Sequence, residues 1–262
     1  MKCEKIIRIG TFLIILCCFL GIKHEIRQDK EIQELRSSYE KVISDKIISQ
    51  GNAFKEKCGD GFDYLAIGNS ITKHGMCDYW WTESGMAATE EDKDYVHQVV
   101  LELNDKKGSI NFFAYNFYAW EVQGTDRAET LQLLDSFLSP QLDLVTIQLG
   151  ENASDTNTLE QDSEELIRYI AAVCPNAQIM VVGEFWEDSL KDEIKREACL
   201  NTEAVFIDLS AIWNNSEYQA GLGTTVYGSD GEEHIIDHEG VARHPNDKAM
   251  RYIAEQIIKE VK

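Results

Sequence analysis

From residue 62 onward the chain alternates short apolar runs with stretches in which apolar residues recur every three or four positions. The runs Phe62 to Ile67, Ile110 to Tyr115, Leu142 to Leu149, Gln178 to Val182 and Ala204 to Leu209 have the length of strands, and several are rich in Val and Ile. Between them lie helical stripes: Val96, Val99, Val100 and Leu103; Leu131, Leu134 and Phe137; Leu166, Ile170 and Val173. The closing helix is the clearest, with Met250, Ile253, Ala254, Ile257, Ile258 and Val261 on one face. Strict alternation of strand and helix predicts parallel strands joined by right-handed crossovers, and so an α/β protein with a three-layer α/β/α sandwich around five parallel strands. Sheets of this kind carry their sites at the carboxyl ends of the strands. The stretch Trp213 to Val241 is long, Gly-rich and polar, and reads as an irregular excursion near such a site.

The first 57 residues obey other rules. Lys2, Lys5 and Arg8 precede an uncharged apolar run of 14 residues, Ile9 to Ile22, closed by Lys23. A basic start and an unbroken apolar run predict a signal peptide or signal anchor over 1–23, even though the run is shorter than the roughly 20 residues of an ordinary spanning helix. No A-x-A-like cleavage site comes after it, and Ile15 and Leu16 before Cys17 and Cys18 lack the small residue of a lipoprotein box, which favours an uncleaved anchor. Positive charge ahead of the span puts the rest of the chain outside the cytoplasm, at the cell membrane, or secreted if the segment is removed. Residues 24–57 are charged and free of Pro, with Ile32, Leu35, Tyr39, Val42, Ile43 and Ile47 at helical spacing, so a helical stalk or linker is expected there and a folded domain over 58–262.

Charge narrows the partners. Of 262 residues, 25 are Lys or Arg and 46 are Asp or Glu, a formal net charge of -21, which repels nucleic acid and anionic headgroups. The seven cysteines (3, 17, 18, 58, 77, 174, 199) include no C-x-x-C pair, so neither a zinc ribbon nor a small disulfide scaffold is indicated. There is no phosphate-binding G-x-x-x-x-G-K-[ST] loop, and Gly221-Leu222-Gly223 lacks the third glycine of a dinucleotide fingerprint.

The strand ends hold the candidate chemistry. The first strand runs into Gly68-Asn69-Ser70-Ile71-Thr72, which places a hydroxyl where the chain turns; a helix beginning after Ser70 would aim backbone N–H groups at an oxyanion. The third strand ends in Gln148-Leu149-Gly150-Glu151-Asn152, so a neutral amide, able to donate without titrating, reaches the same edge. Just before the last helix comes Val241-Ala242-Arg243-His244-Pro245-Asn246-Asp247; Pro245 suits a first helical position, which would hold His244 on a short rigid lead-in as a general base. Each alone has a plainer reading, respectively a helix cap, a turn residue and a surface imidazole.

Taken together and in this order, the three blocks resemble the SGNH (GDSL-type) serine hydrolases over residues 62 to 262. Gly68-Asn69-Ser70-Ile71-Thr72 looks like that family's first block, Gly150-Glu151-Asn152 like its Gly-x-Asn block, and His244-Pro245-Asn246 like its final histidine block; Trp80-Trp81, Gly85-Met86-Ala87-Ala88 and Asp94-Tyr95-Val96-His97 are similar to an uncharacterised bacterial branch. The resemblance implies a flavodoxin-like sheet of order 2-1-3-4-5 and ester hydrolysis through an acyl-serine, with no metal or cofactor. It implies Ser70 as nucleophile, His244 as base and Asn152 as oxyanion donor, with Gly68, Asn69, Gly150 and Glu151 around the oxyanion and substrate.

This chain also departs from the pattern. Asn69 and Ala153 stand where the family has Asp, and Val241 stands where its triad acid precedes the histidine. Asp237 is the preferred substitute acid, ahead of Glu239, with a backbone carbonyl as the further option. The second-block glycine is unclear in Asn116-Phe117-Tyr118-Ala119-Trp120-Glu121, and Gly124 is a candidate by proximity. Trp186, Trp213, Tyr218 and Tyr227 could line a sugar-binding edge, so short acyl esters of carbohydrates or small molecules are the expected substrates. Two other readings stand beside this one: a non-catalytic surface-binding domain on the same fold, and a metal-dependent hydrolase using His234 and His238, four residues apart among carboxylates.

Overall fold

Strand β1 (Phe62–Gly68) is buried along almost its whole length, with Tyr64 and Ala66 on one face and Leu65 and Ile67 on the other, the pattern of a strand covered from both sides. In the computed structural model, which describes residues 61–262, it is the second strand of a five-stranded parallel sheet of order β2-β1-β3-β4-β5 and is paired on both sides. The other strands are β2 (Ile110–Asn116), β3 (Leu144–Gln148), β4 (Gln178–Val182) and β5 (Val205–Ile207). The expected membrane-addressing segment (1–23) and stalk (24–57) lie outside the described residues, as does Cys58.

One face of the sheet is covered by α1 (Tyr95–Lys107) and by the closing helix, α6 (Asp247–Glu260), whose Met250, Ile253, Ala254 and Ile257 pack with Val96, Val99 and Leu103 against Tyr64, Ala66, Leu144 and Met180. Each such fully buried aliphatic side chain contributes about 1.5–3 kcal/mol of transfer free energy. The other face carries α3 (Leu159–Val173) and α4 (Ser189–Thr202), which pack on each other. Leu166 and Ile170 are buried as their spacing predicts, while Val173, at the helix end, is exposed.

Four local expectations are corrected. The stripe Leu131, Leu134 and Phe137 is buried, but Gly124–Leu134 is a run of 3-10 turns broken by non-helical φ/ψ at Asp126, not an α-helix. The excursion after Trp213 contains an antiparallel hairpin, β6 (Thr225–Tyr227) and β7 (Glu233–Ile235), and then a short helix, α5 (Glu239–Ala242). Val226 and Ile236 of this region join Trp80, Met86, Ala87, Val241 and Ala242 in a second, smaller core. Pro245 lies one residue ahead of the α6 cap: Asn246 is the N-cap, and its side chain accepts from the Ala249 N–H. Finally, the segment after Ser70 is a single turn, closed by Thr72 N–H and Lys73 N–H on the Asn69 carbonyl, rather than a helix.

Among the described residues, Cys77, Cys174 and Cys199 are free thiols.

Candidate active site

Parallel register sets the site. Gly68 pairs with Asn116 on one side and with Gln148 on the other, so the carboxyl ends of β1, β2 and β3 stop level and their next residues meet at one edge. Gly68 is required here: a Cβ would lie 1.9 Å from Thr72 Oγ1 and 2.8 Å from the Gln148 carbonyl oxygen. Gly150 is required twice over, because its φ is +134° and a Cβ would fall 2.2 Å from Glu184 Oε1 and 2.6 Å from Lys195 Cε.

At this edge Ser70, partly buried, places its Oγ 2.8 Å from His244 Nε2. The other ring nitrogen, Nδ1, lies 2.8 Å from the Gly240 carbonyl oxygen. A carbonyl only accepts, so Nδ1 carries the proton and Nε2 is the acceptor that faces the serine hydroxyl, the tautomer a general base needs. Burial pushes the imidazole pKa down to about 4, against the opposing pull of the Gly240 carbonyl, with His74 and His238 lowering it further. His244 is itself clamped by the excursion, since its carbonyl accepts from Ala220 N–H (3.0 Å) and its N–H donates to the Val241 carbonyl (2.9 Å).

The expected acid is not brought to this ring. Asp237 is exposed and forms no hydrogen bond to His244, because α5 turns the backbone of Gly240 toward Nδ1 before any side chain can reach it. The further option, a backbone carbonyl, takes the acid's place, although side-chain identity gives no signal for which carbonyl it is.

Behind Ser70 lies a network of carboxylates, Glu121 buried and Glu151 half-buried. Glu121, at the end of the short helix α2 (Tyr118–Val122), is 1% exposed, and its Oε1 accepts from Gly150 N–H (2.6 Å), Asn69 Nδ2 (3.1 Å) and Asn152 N–H (3.3 Å), while Oε2 accepts from Asn152 Nδ2 (2.8 Å). Glu151 takes Asn69 Nδ2 (2.8 Å) on one oxygen and Gln148 Nε2 (2.6 Å) with Phe185 N–H (3.2 Å) on the other. Burial and the neighbouring Glu151 raise the Glu121 carboxyl pKa, and its N–H donors hold it back. Glu184, ion-paired with Lys195 at 2.9 Å, is pushed up to about 8 by burial despite that lysine.

These contacts sort the expected site residues. Ser70, His244 and Trp186 come together: Trp186 stands edge-on to His244 (5.1 Å between ring centroids, 87° between planes) and donates from Nε1 to the Arg243 carbonyl. Asn152 stands at the same edge with its amide on Glu121. Gly68, Asn69, Gly150 and Glu151 are framework beneath the edge; the Glu151 carboxylate in particular is taken up by internal donors and is not offered to a substrate. Gly124 heads the 3-10 run with φ +63° and, among the described residues, forms no hydrogen bond with Ser70, Asn152 or His244. The second-strand segment supplies Glu121 instead, a charged residue at the foot of the aromatic run Phe117 to Trp120, and that contrast was its sequence signal.

The expected sugar-binding edge separates as well. Trp213 donates to the Glu184 carbonyl, Tyr218 packs on Tyr252 and Tyr227 hydrogen-bonds Glu233 on the hairpin, leaving Trp186 of the four beside His244. His234 lies on β7 against Trp81 and Asp230, and His238 caps α5 and stacks on Tyr79. The two do not share a helix face, and among the described residues no group of three His, Cys, Asp or Glu side chains could hold a metal ion.

No protein-family model matches the chain and no curated protein is similar to it in sequence. Solved structures are similar in shape. The phospholipase A1 from Streptomyces albidoflavus NA297 superposes with a TM-score of 0.51 at 13% identity, covering 76% of this chain and 99% of its own. A two-domain esterase active on acetylated mannans, co-crystallised with mannopentaose, gives 0.50 at 13% identity over 83% of this chain and 53% of its own. A GDSL-like lipase from Bacteroides uniformis ATCC 8492 gives 0.49 at 13% identity, covering 77% of this chain and 96% of its own. The chain has the SGNH-hydrolase fold. On this fold Ser70 follows β1, Asn152 follows β3 and His244 precedes the last helix.

Proposed function

We propose that the protein is a serine ester hydrolase working through an acyl-serine intermediate on short acyl esters of carbohydrates. The observation that carries this reading is the Ser70 Oγ to His244 Nε2 contact of 2.8 Å with Nδ1 committed to the Gly240 carbonyl, a nucleophile and base in the correct protonation state. His244 takes the Ser70 proton as Oγ attacks the ester carbonyl. The tetrahedral oxyanion falls to the Asn152 amide and the backbone N–H of Ser70, and the imidazolium then protonates the leaving alcohol. Water repeats the sequence on the acyl-serine.

The half-buried Trp186 beside His244 supports a saccharide as the alcohol part of the ester, since an indole offers an apolar face with a polar handle. The esterase on acetylated mannans that shares this fold agrees with such a substrate, and the phospholipase that shares it marks the lipid alternative. The basic and apolar N-terminus supports an extracytoplasmic, membrane-tethered placement.

Fluorophosphonate labelling tests the chemistry directly: the wild-type chain should label at Ser70, and Ser70→Ala should lose both label and turnover of acetyl esters. An unlabelled wild type, or Ser70→Ala with ordinary activity, would leave a binding domain on this fold as the better reading. Faster turnover of long-chain lipid esters than of acetylated glycans would remove the substrate assignment alone.

A further inference from the structure

Glu121 occupies a place where a buried charge has no evident use. It is 1% exposed, comes shortly after β2, and gathers four N–H donors from Asn69, Gly150 and Asn152. An isolated carboxylate at such depth costs several kcal/mol, so it persists only where its donors need it or are needed by it. Two of those donors belong to Asn152. A side-chain amide has two hydrogens on Nδ2; with one fixed on Glu121 Oε2 at 2.8 Å, the plane of the amide is set and the second hydrogen is held in one direction.

The first-block departure fits the same network. Asn69 is fully buried, and its Nδ2 bridges Glu121 and Glu151 while Oδ1 accepts from the Ile71 N–H at 3.0 Å. An Asp at that position would bring a third carboxylate against the other two and supply neither hydrogen.

Resting on the esterase reading, we infer that Glu121 is a positioning residue for the oxyanion site: its carboxylate holds the Asn152 side-chain amide so that the free Nδ2 hydrogen faces the developing oxyanion, and Asn69 replaces an acid because it must donate to Glu121 and Glu151 together. Glu121 touches neither the substrate nor the reacting atoms; it acts through Asn152.

The experiment is a double-mutant cycle on acetyl-ester turnover with Glu121→Gln and Asn152→Ala. Gln keeps the shape but presents an NH2 to donors that need an acceptor. Loss of one oxyanion donor costs on the order of 10²- to 10³-fold in turnover, so Asn152→Ala should lower kcat by that much, and Glu121→Gln should lower it by at least about 10-fold with KM within about threefold. In the Asn152→Ala background, Glu121→Gln should cost less than about twofold, since the amide it orients is gone. Glu121→Asp, which keeps the charge, should recover part of the loss. An equal loss in both backgrounds would mean that Glu121 only supports the fold, and an unchanged kcat in Glu121→Gln would likewise overturn the assignment while Ser70 still labels. If the wild type fails to label at Ser70, the esterase reading falls first and this inference with it.

Discussion

Ser70 stands just past a strand hydrogen-bonded on both sides, and the polar atoms of the Asn69 side chain beneath it are engaged by Glu121 of α2, by Glu151 after β3 and by the Ile71 N–H of its own turn. His244, by contrast, is delivered by an excursion of short elements whose own support is a small core of Trp80, Met86, Ala87, Val226, Ile236, Val241 and Ala242, and its ring is oriented by one backbone carbonyl. The nucleophile side is thus fixed by sheet register and buried charge. The base side is fixed by loop packing and a single neutral hydrogen bond. A carboxylate at Nδ1 would stabilise the imidazolium formed during attack; a carbonyl fixes the tautomer but offers only a dipole to that cation. Burial sets the low imidazole pKa, and the Gly240 carbonyl offsets only part of it.

The sharpest break is expected on the sheet side. Asn69→Asp removes two donors and sets a carboxylate between Glu121 and Glu151, and leaving a buried charge uncompensated costs about 3–5 kcal/mol. Urea unfolding should show a loss of that size near neutral pH and a smaller one in acid, where the carboxyls take up protons. A loss below about 1 kcal/mol would mean that the network tolerates a third acid.

A second measurement addresses the base. With its folded pKa at about 4 rather than the ordinary 6.5, His244 stays neutral well into the acid range, so the acid limb of kcat/KM should fall near pH 4 and activity should hold from pH 7 to about 5. The same shift acts on stability. The native imidazole resists a proton that the unfolded one accepts, so its contribution is full above pH 6.5 and is lost as pH falls toward 4. An acid limb near 6.5 would place a negative group beside Nδ1 in the working enzyme.

The smallest effect is expected at Asp237. Because Gly240 has taken Nδ1, Asp237→Asn should change turnover by less than about twofold. A drop of orders of magnitude would show that the lead-in rearranges to bring the carboxylate onto the ring, and the contrast between the two halves would then narrow.

Much of this molecule is written in local pattern. The five strands and the closing helix arise from apolar spacing, because a strand buried on both faces and a helix buried on one leave unmistakable periods of residue type. Ser70, Asn152 and His244 are legible for a related reason: parallel strands end at one edge, so residues just past them must meet there. Ser70 and His244 are 174 positions apart, and their 2.8 Å contact joins the end of β1 to the lead-in of the last helix, with the packing of the excursion holding the ring there. Local pattern could not carry the groups whose role depends on direction. Gly240 orients His244 with a carbonyl that every residue possesses, and only the turn of α5 aims it. Glu121 shows in the sequence only as a charge at the foot of an aromatic run, and its place beneath Asn152 is fixed by hydrogen bonds from Asn69, Gly150 and Asn152 just past the ends of β1 and β3. Sequence determines which side chains arrive at the edge of the sheet; backbone direction and the sharing of buried hydrogens, decided only in three dimensions, determine which partner each one finds.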